Sequence, residues 1–226
     1  MSKDMGQIVV TIMAKAPRPG EVKTRLCPPF STEEAAELYR CFLLDKIEQV
    51  RALKTANPAI AYTPVGGKRY FEEIAPDFVL IPQQGPDLGA RLADSFDQLF
   101  TRGYTGALAI DSDTPTLPTH FLEQALDLIA TPTIDLVLGP SDDGGYYLIG
   151  LRTLYRELFE EMTWSTAEVM PETIRRAEVK GLKVSTLPLW FDVDTPEDLE
   201  RLRTSLQISE ADAARHTRDF FKERAE

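Results

Sequence analysis

Histidine is almost missing from this chain. His120 and His216 are the only two in 226 residues, so His-centred catalytic triads and His-rich metal arrays have next to no material. Cysteine is as scarce. Cys27 and Cys41 stand outside any Cys-x-x-Cys pattern, which argues against a disulfide framework or a zinc site and reads as two free thiols in a reducing cytoplasm. No apolar run approaches the roughly 20 residues that span a bilayer. The opening stretch MSKDMGQIVVTIMAK lacks the shape and cleavage site of a signal peptide. Positive charge is also short: 25 Lys and Arg face 36 Asp and Glu, a net charge of −11. Such a chain is no general binder of nucleic acid or anionic membranes, and any phosphate site in it must be a local basic island. Internal repeats, low-complexity linkers and composition breaks are missing too. The expectation is one domain over 1–226 with a helical tail at about 205–226.

Apolar segments alternating with amphipathic ones are abundant. QIVVTIMAK (7–15) is β-branched and nearly continuously apolar, as a strand buried on both faces should be. A Pro/Gly-broken stretch follows, then a helix opened by a capping box of Ser31 and Glu34. Further strands are predicted at 59–64, 78–82, 106–110 and on both sides of a glycine-rich turn within 135–151. A last one is predicted within 182–195. Helices are predicted at 68–75, from Asp87 and Leu88 to about 102, at 120–130, and at 166–181 with Pro171 disturbing its start. Another begins at Pro196 behind an N-cap at Thr195, and a terminal one has Ser209 and Asp212 at its start. This alternation predicts an α/β protein with three αβα layers around a mostly parallel sheet.

Parallel α/β sheets bind ligands at the carboxyl ends of their strands, and four such ends carry concentrated chemistry. The first, KAPRPGEVKTR (15–25), holds four cations and one acid around Gly20. There Arg25 could grip a phosphate bidentately and Lys23 could act as a point charge, although a solvated basic loop has the same composition. The second, Asp111-Ser112-Asp113, sets two carboxylates beside each other at a turn. That suits a hard divalent cation, or a turn capping a helix at Pro115. The third, Ser141-Asp142-Asp143-Gly144-Gly145-Tyr146-Tyr147, pairs acids, glycines and aromatics. Here Asp142 or Asp143 could bind or deprotonate a hydroxyl, or the segment could be a hairpin turn. The fourth, Asp192-Val193-Asp194, precedes a capped helix. Asp194 could complete a metal shell begun by Asp113, or these acids could compensate the helix dipole. Taken together, the four ends point to phosphoester or sugar-phosphate chemistry.

The segments 15–26, 86–91, 111–115, 139–148, Trp164-Ser165-Thr166 and 192–196 together resemble the DUF2064 bacterial proteins over about residues 8–204. That group is similar to nucleotide-diphospho-sugar transferases of the GT-A fold, and also looks like phospholactate guanylyltransferases and molybdenum-cofactor nucleotidyltransferases. The resemblance implies a Rossmann-like nucleotide-binding domain using Mg2+ or Mn2+, with Asp111, Asp113 and Asp194 as metal acids. It implies nucleotide contacts from Lys15, Arg18, Lys23, Arg25, Arg91 and Asp111. Asp142 or Asp143 would act catalytically on the acceptor side, where Gly144, Gly145 and Tyr146 would bind the acceptor. One departure stands out: nucleotidyltransferases of this fold open with a glycine-dense Gly-x-Gly-x-x-Arg loop, and here Pro17, Pro19 and a single Gly20 stand instead. The expected function is therefore metal-dependent transfer from a nucleotide-diphospho-sugar to a small-molecule acceptor. The alternatives are nucleotidyl transfer from an NTP to a phosphorylated small molecule, and non-catalytic nucleotide binding.

Overall fold

A computed structural model describes residues 8–208 and 213–224. Seven strands, β1 (Ile8–Lys15), β2 (Asn57–Thr63), β3 (Val79–Pro82), β4 (Gly106–Ile110), β5 (Leu136–Pro140), β6 (Tyr146–Leu151) and β7 (Val184–Thr186), form one sheet. Their order is β3-β2-β1-β4-β6-β5-β7. All neighbours run parallel except β6, which is antiparallel to both β4 and β5. Among the described residues seven α-helices accompany them: α1 (Thr32–Ala52), α2 (Lys68–Ile74), α3 (Leu88–Thr101), α4 (Thr119–Ile129), α5 (Val169–Val179), α6 (Pro196–Ile208) and α7 (Arg215–Glu223). The expected αβα architecture is present.

Alternation along each strand sends residues to two cores. Val10, Ile12 and Leu108 pack with Leu43 and Ile47 of α1, Phe71 of α2 and Leu122 of α4 on one face. Val9, Ala59 and Ala109 pack with Leu92 and Phe96 of α3 and Ala177 of α5 on the other. Helix α1 is shared: Leu38 and Phe42 meet Val22 and Leu26 of the first loop, Leu202 of α6 and Phe220 of α7 in a third cluster. The Ser31–Glu34 capping box that starts α1 is formed in both directions.

Three expectations shift. Helix α5 begins at Val169 rather than near Thr166. Pro171 thereby falls in the first turn, where its missing N–H deprives the helix of no internal bond. The last strand shrinks to Val184–Thr186; beyond it Leu187 and Trp190 still donate to Leu138 and Pro140, but Pro188 interrupts the ladder. The expected helix start at Ser209 and Asp212 lies outside the described residues, and α7 is described from Arg215. Among the described residues no helix is long and apolar enough to cross a membrane.

Asp45 of α1 tethers α7. Its carboxylate accepts from the His216 and Thr217 backbone N–H groups and from the Thr217 hydroxyl, at 2.6–2.9 Å. This is the service an N-cap performs, supplied from another helix. Replacing Asp45 with Ala is expected to lower unfolding stability by about 1–2 kcal/mol, read from urea denaturation followed by circular dichroism.

Candidate functional site

The carboxyl ends of the parallel strands define one edge of the sheet. Because β6 runs backwards, the β5–β6 turn returns to this same edge. The four sequence segments therefore lie around one place.

The first loop is tied down before it reaches the site. Lys15 Nζ donates to the Glu21 carbonyl at 2.6 Å, and Gly20 supplies a left-handed turn, with φ 75°. Val22 and Leu26 are buried. Lys23 itself has φ 48°, an uncommon backbone for a side chain of this size. This geometry turns its side chain inward until it is only 5% exposed. The ammonium lies 2.6 Å from Asp113 Oδ1 and 2.7 Å from Asp194 Oδ1. Burial alone would lower its pKa, but the two carboxylates outweigh that and hold it above the ordinary lysine range. Arg25 reaches toward Asp194 at 4.0 Å and is otherwise open to solvent. These residues, with Lys15 and Tyr39, line a cleft of about 250 Å3.

Tyr39 of α1 forms the floor. Its hydroxyl accepts from the Lys15 backbone N–H and bonds Ser112, whose hydroxyl also bonds the Met13 carbonyl. Beside it, Lys46 of α1 is 1% exposed. Its ammonium donates to the carbonyl and hydroxyl of Thr114 and to Gln49, and the Thr114 hydroxyl donates to Asp111 at 2.6 Å. Burial pulls the Lys46 pKa down to about 8 against the pull of Asp111 and Asp113. Burial likewise lifts Asp111 to about 7, opposed by Lys46 and reinforced by Asp113.

The turn after β5 separates the two acids that the sequence leaves as alternatives. Asp142 pairs outward with Arg201 of α6, whose guanidinium covers the Phe191 ring at 4.0 Å. Asp143 instead accepts from the Ser141 hydroxyl and the Gly145 N–H. Its charge, after burial, helps lift Asp192 to about 7, with Asp194 adding to it. Of the paired glycines, Gly144 holds the positive φ, 89°, and a Cβ there would meet Ala167 Cα at 2.4 Å. Tyr146 turns its ring edge-on to Trp164 in the core under α3, and Tyr147 covers Gly139 in the opposite core.

In the fourth segment, Val193 N–H donates to the Asp113 carbonyl at 3.1 Å, so the two Asp-x-Asp runs are joined through the backbone. Asp198 accepts from the Asp194 and Thr195 N–H groups and the Thr195 hydroxyl. The dipole compensation at α6 is thus the work of Asp198, leaving Asp194 to Lys23.

The structure gathers Lys15, Lys23, Arg25, Asp111, Asp113, Asp143 and Asp194 at this edge. Arg18 faces solvent near Glu21, at 3.9 Å. Arg91 bonds the Gly85 carbonyl at the end of β3, which is separated from β1 by β2. Lys46 and Tyr39, which lie outside the four segments, join the site, as does Asp192 of the fourth segment. A signal existed for the first two: Tyr39, Phe42, Leu43, Lys46, Ile47 and Val50 recur at helical spacing on the buried stripe of α1, where a lysine needs a buried partner. A separate group, Asp45, Glu48 and His216, has ligand atoms close enough to share a cation, but Asp45 spends both oxygens on α7.

Because Asp192 is raised from an ordinary value near 4 to about 7, its protonated form is the one the fold favours. Its contribution is complete below about pH 4 and is lost as pH rises to about 7. Asp192→Asn is therefore expected to stabilise the metal-free protein over wild type more at pH 8 than at pH 5, in paired urea titrations.

The family described as "Uncharacterized protein conserved in bacteria (DUF2064)" matches residues 46–166. A candidate nucleotide-diphospho-sugar transferase from Desulfovibrio desulfuricans G20 is 32% identical, covering 97% of this chain and 96% of that one, with a TM-score of 0.86. A cytidylyltransferase from Leptospira borgpetersenii is 16% identical over 97% and 95% of the two chains, with a TM-score of 0.61. Glucosyl-3-phosphoglycerate synthase from Mycobacterium tuberculosis, solved with Mn2+, UDP and glucosyl-3-phosphoglycerate, is 13% identical over 90% and 77%, with a TM-score of 0.50. No curated protein matches the chain in sequence. The fold is that of the GT-A-like nucleotidyl- and glycosyltransferases.

Proposed function

The chain belongs to the DUF2064 family, and we propose that it is a metal-dependent transferase whose donor is a nucleotide-diphospho-sugar. One observation carries the reading: Lys23 of the basic first loop is buried against acids from two other strand ends. Anion-binding and cation-binding chemistry are thereby built into one cleft. The D. desulfuricans relative, alike over nearly its whole length, supports the donor class. The proline-bearing first loop favours sugar transfer over nucleotidyl transfer.

The donor set suits a divalent cation in its chemistry, although Asp111, Asp113 and Asp194 do not bring three oxygens within 4.8 Å of one another and Lys23 stands between Asp113 and Asp194. Asp111, Asp113, Asp143, Asp192 and Asp194 are balanced locally by Lys23 and Lys46, and two of the acids are held near neutral pH by burial and like charge. Excess carboxylate oxygen of this kind suits Mg2+ or Mn2+. Asp111, Asp113 and Asp194 would hold the ion, which would neutralise the leaving diphosphate. Lys23 and Arg25 bind the phosphates and share their charge as the bond to the sugar breaks. Asp143 orients the acceptor hydroxyl and takes its proton; Asp142 is engaged by Arg201 and serves the turn. Gly144, packed against Ala167, and Gly145, whose N–H donates to Asp143, hold the turn that presents Asp143 to the acceptor. Tyr146, whose ring packs on Trp164, shapes that wall from behind.

A thermal-shift panel of UDP-, GDP- and CDP-sugars and of NTPs, with and without Mn2+, tests the reading. Stabilisation by a nucleotide-sugar only with Mn2+ supports it, whereas NTP stabilisation with pyrophosphate release replaces it with nucleotidyl transfer. Lys23 also competes with the cation for Asp113 and Asp194. Lys23→Met is therefore expected to bind Mn2+ alone more tightly than wild type. It should bind a nucleoside diphosphate more weakly, by about 1.5–3 kcal/mol for one lost charged hydrogen bond, both read by calorimetry. With a turned-over substrate pair, Asp143→Asn is expected to depress kcat at unchanged donor affinity. Asp142→Asn should retain turnover.

A further inference from the structure

Lys46 lies in the middle of α1, away from all four strand-end segments in sequence, yet its ammonium is sealed beneath the acid cluster. Three acceptors hold it: the Thr114 carbonyl at 2.9 Å, the Thr114 hydroxyl at 3.0 Å and Gln49 Oε1 at 3.1 Å. Gln49 is itself fixed, donating to the Leu117 carbonyl at 2.6 Å. An ammonium has only donors. The Thr114 hydroxyl, accepting from Lys46, must therefore direct its own proton elsewhere, and it does so to Asp111 Oδ1 at 2.6 Å. The sense of the chain is fixed from one end: Lys46 to Thr114 to Asp111.

We propose that Lys46 is a positioning residue for the metal–nucleotide site, acting through the Thr114 hydroxyl to fix the orientation of Asp111. This rests on the metal-dependent reading above. Without the relay, Asp111 keeps its backbone anchor, the N–H donated to the Tyr147 carbonyl at 3.0 Å. Its carboxylate would then be free to rotate away from Asp113, with which it crowds charge. Partners that orient a ligand from behind typically contribute about 10–100-fold to metal affinity. Here the orienting group is a buried lysine, whose cation also compensates the acids it aims. The turn from Thr114 to Leu117 is held on the same helix through Lys46 and Gln49, so α1 and the first Asp-x-Asp move as one piece.

The test uses the full chain and two probes, Mn2+ alone and Mn2+ with UDP, followed by electron paramagnetic resonance of free Mn2+ and by calorimetry. Thr114→Val removes the hydroxyl but not the carbonyl that Lys46 also bonds, and is expected to weaken Mn2+ uptake by about 10-fold or more. Thr114→Ser, which keeps the hydroxyl, restores it. A merely structural role for Thr114 would not separate these two at matched melting temperature. Lys46→Met cuts the same chain but also removes a positive charge that opposes the cation, so its loss of Mn2+ uptake is expected to be no larger than that of Thr114→Val, and the double variant to be no worse than Thr114→Val. If Lys46→Met does not fold, the Val and Ser pair decides. Wild-type Mn2+ affinity in a folded Thr114→Val overturns the relay and leaves the metal reading intact, as do losses that multiply in the double variant. Failure of wild type to take up Mn2+ with either probe overturns the metal reading and the relay with it.

Discussion

An ammonium group that enters a protein interior must recover, from opposite charge or from hydrogen-bond acceptors, what it gives up in water. Lys23 meets this condition by reaching Asp113 and Asp194 at once, and the arrangement of the whole edge follows from that. For the contact to exist, the first loop must turn inward at a left-handed residue, and its hydrophobic members Val22 and Leu26 must be packed against α1. The strand end carrying Asp113 must also be stitched to the segment carrying Asp194, which the Val193 N–H accomplishes. Three parts of the chain separated by up to 171 positions are thereby held around one charge. Removing that charge leaves two carboxylates facing each other, so the site is most strained when Lys23 is drawn toward an incoming anion. A divalent cation arriving with the anion relieves the same strain, which makes joint binding of metal and diphosphate the natural loading step.

The antiparallel β6 matters for the opposite side of the cleft. Had β6 run parallel, its connection to β5 would have needed a crossover and the Asp142–Gly145 turn could not sit beside the other acids. Reversal allows a short turn at the strand ends, with Gly144 in the one conformation that lets it pass Ala167. It then presents Asp143, not Asp142, toward Asp192. The electrostatic consequence is a gradient across the edge: compensated acids at Lys23, and under-compensated ones at Asp111 and Asp192.

Much of this was legible beforehand, and what was hidden has a physical reason. Continuous apolar strands, the Ser31–Glu34 box and the Thr195–Pro196 start are local signals, and each appears where the residues place it. The four strand ends were legible because acids and cations at the end of a buried strand are not there for packing. Partner choice was not legible. Asp142 and Asp143 are neighbours in sequence, and only Arg201, 59 positions away, decides which one turns outward. Gly144 and Gly145 are likewise equivalent in sequence, and only Gly144 packs against Ala167. A lysine in a long amphipathic helix such as Lys46 reads as solvated. Its place on the apolar stripe is the available clue, but two of its three acceptors lie on Thr114, 68 positions away, which no local pattern reports.

Helix α1 supports the sheet, the cleft and α7 at once. At 21 residues it is long enough to serve three surfaces. One stripe packs Leu43 and Ile47 onto the sheet. Tyr39 lines the cleft and Lys46 lies sealed beneath it, holding Ser112 and Thr114 from below. Asp45, one position from Lys46, anchors α7. Adjacent residues on a helix lie about 100° apart, so a buried lysine and a buried aspartate in succession serve two different faces. Their opposite charges are each met by groups from different parts of the chain. The C-terminal helix is therefore not an appendage to the fold: its docking and the orientation of the acid cluster share one rigid support, and α1 cannot shift to loosen one without disturbing the other.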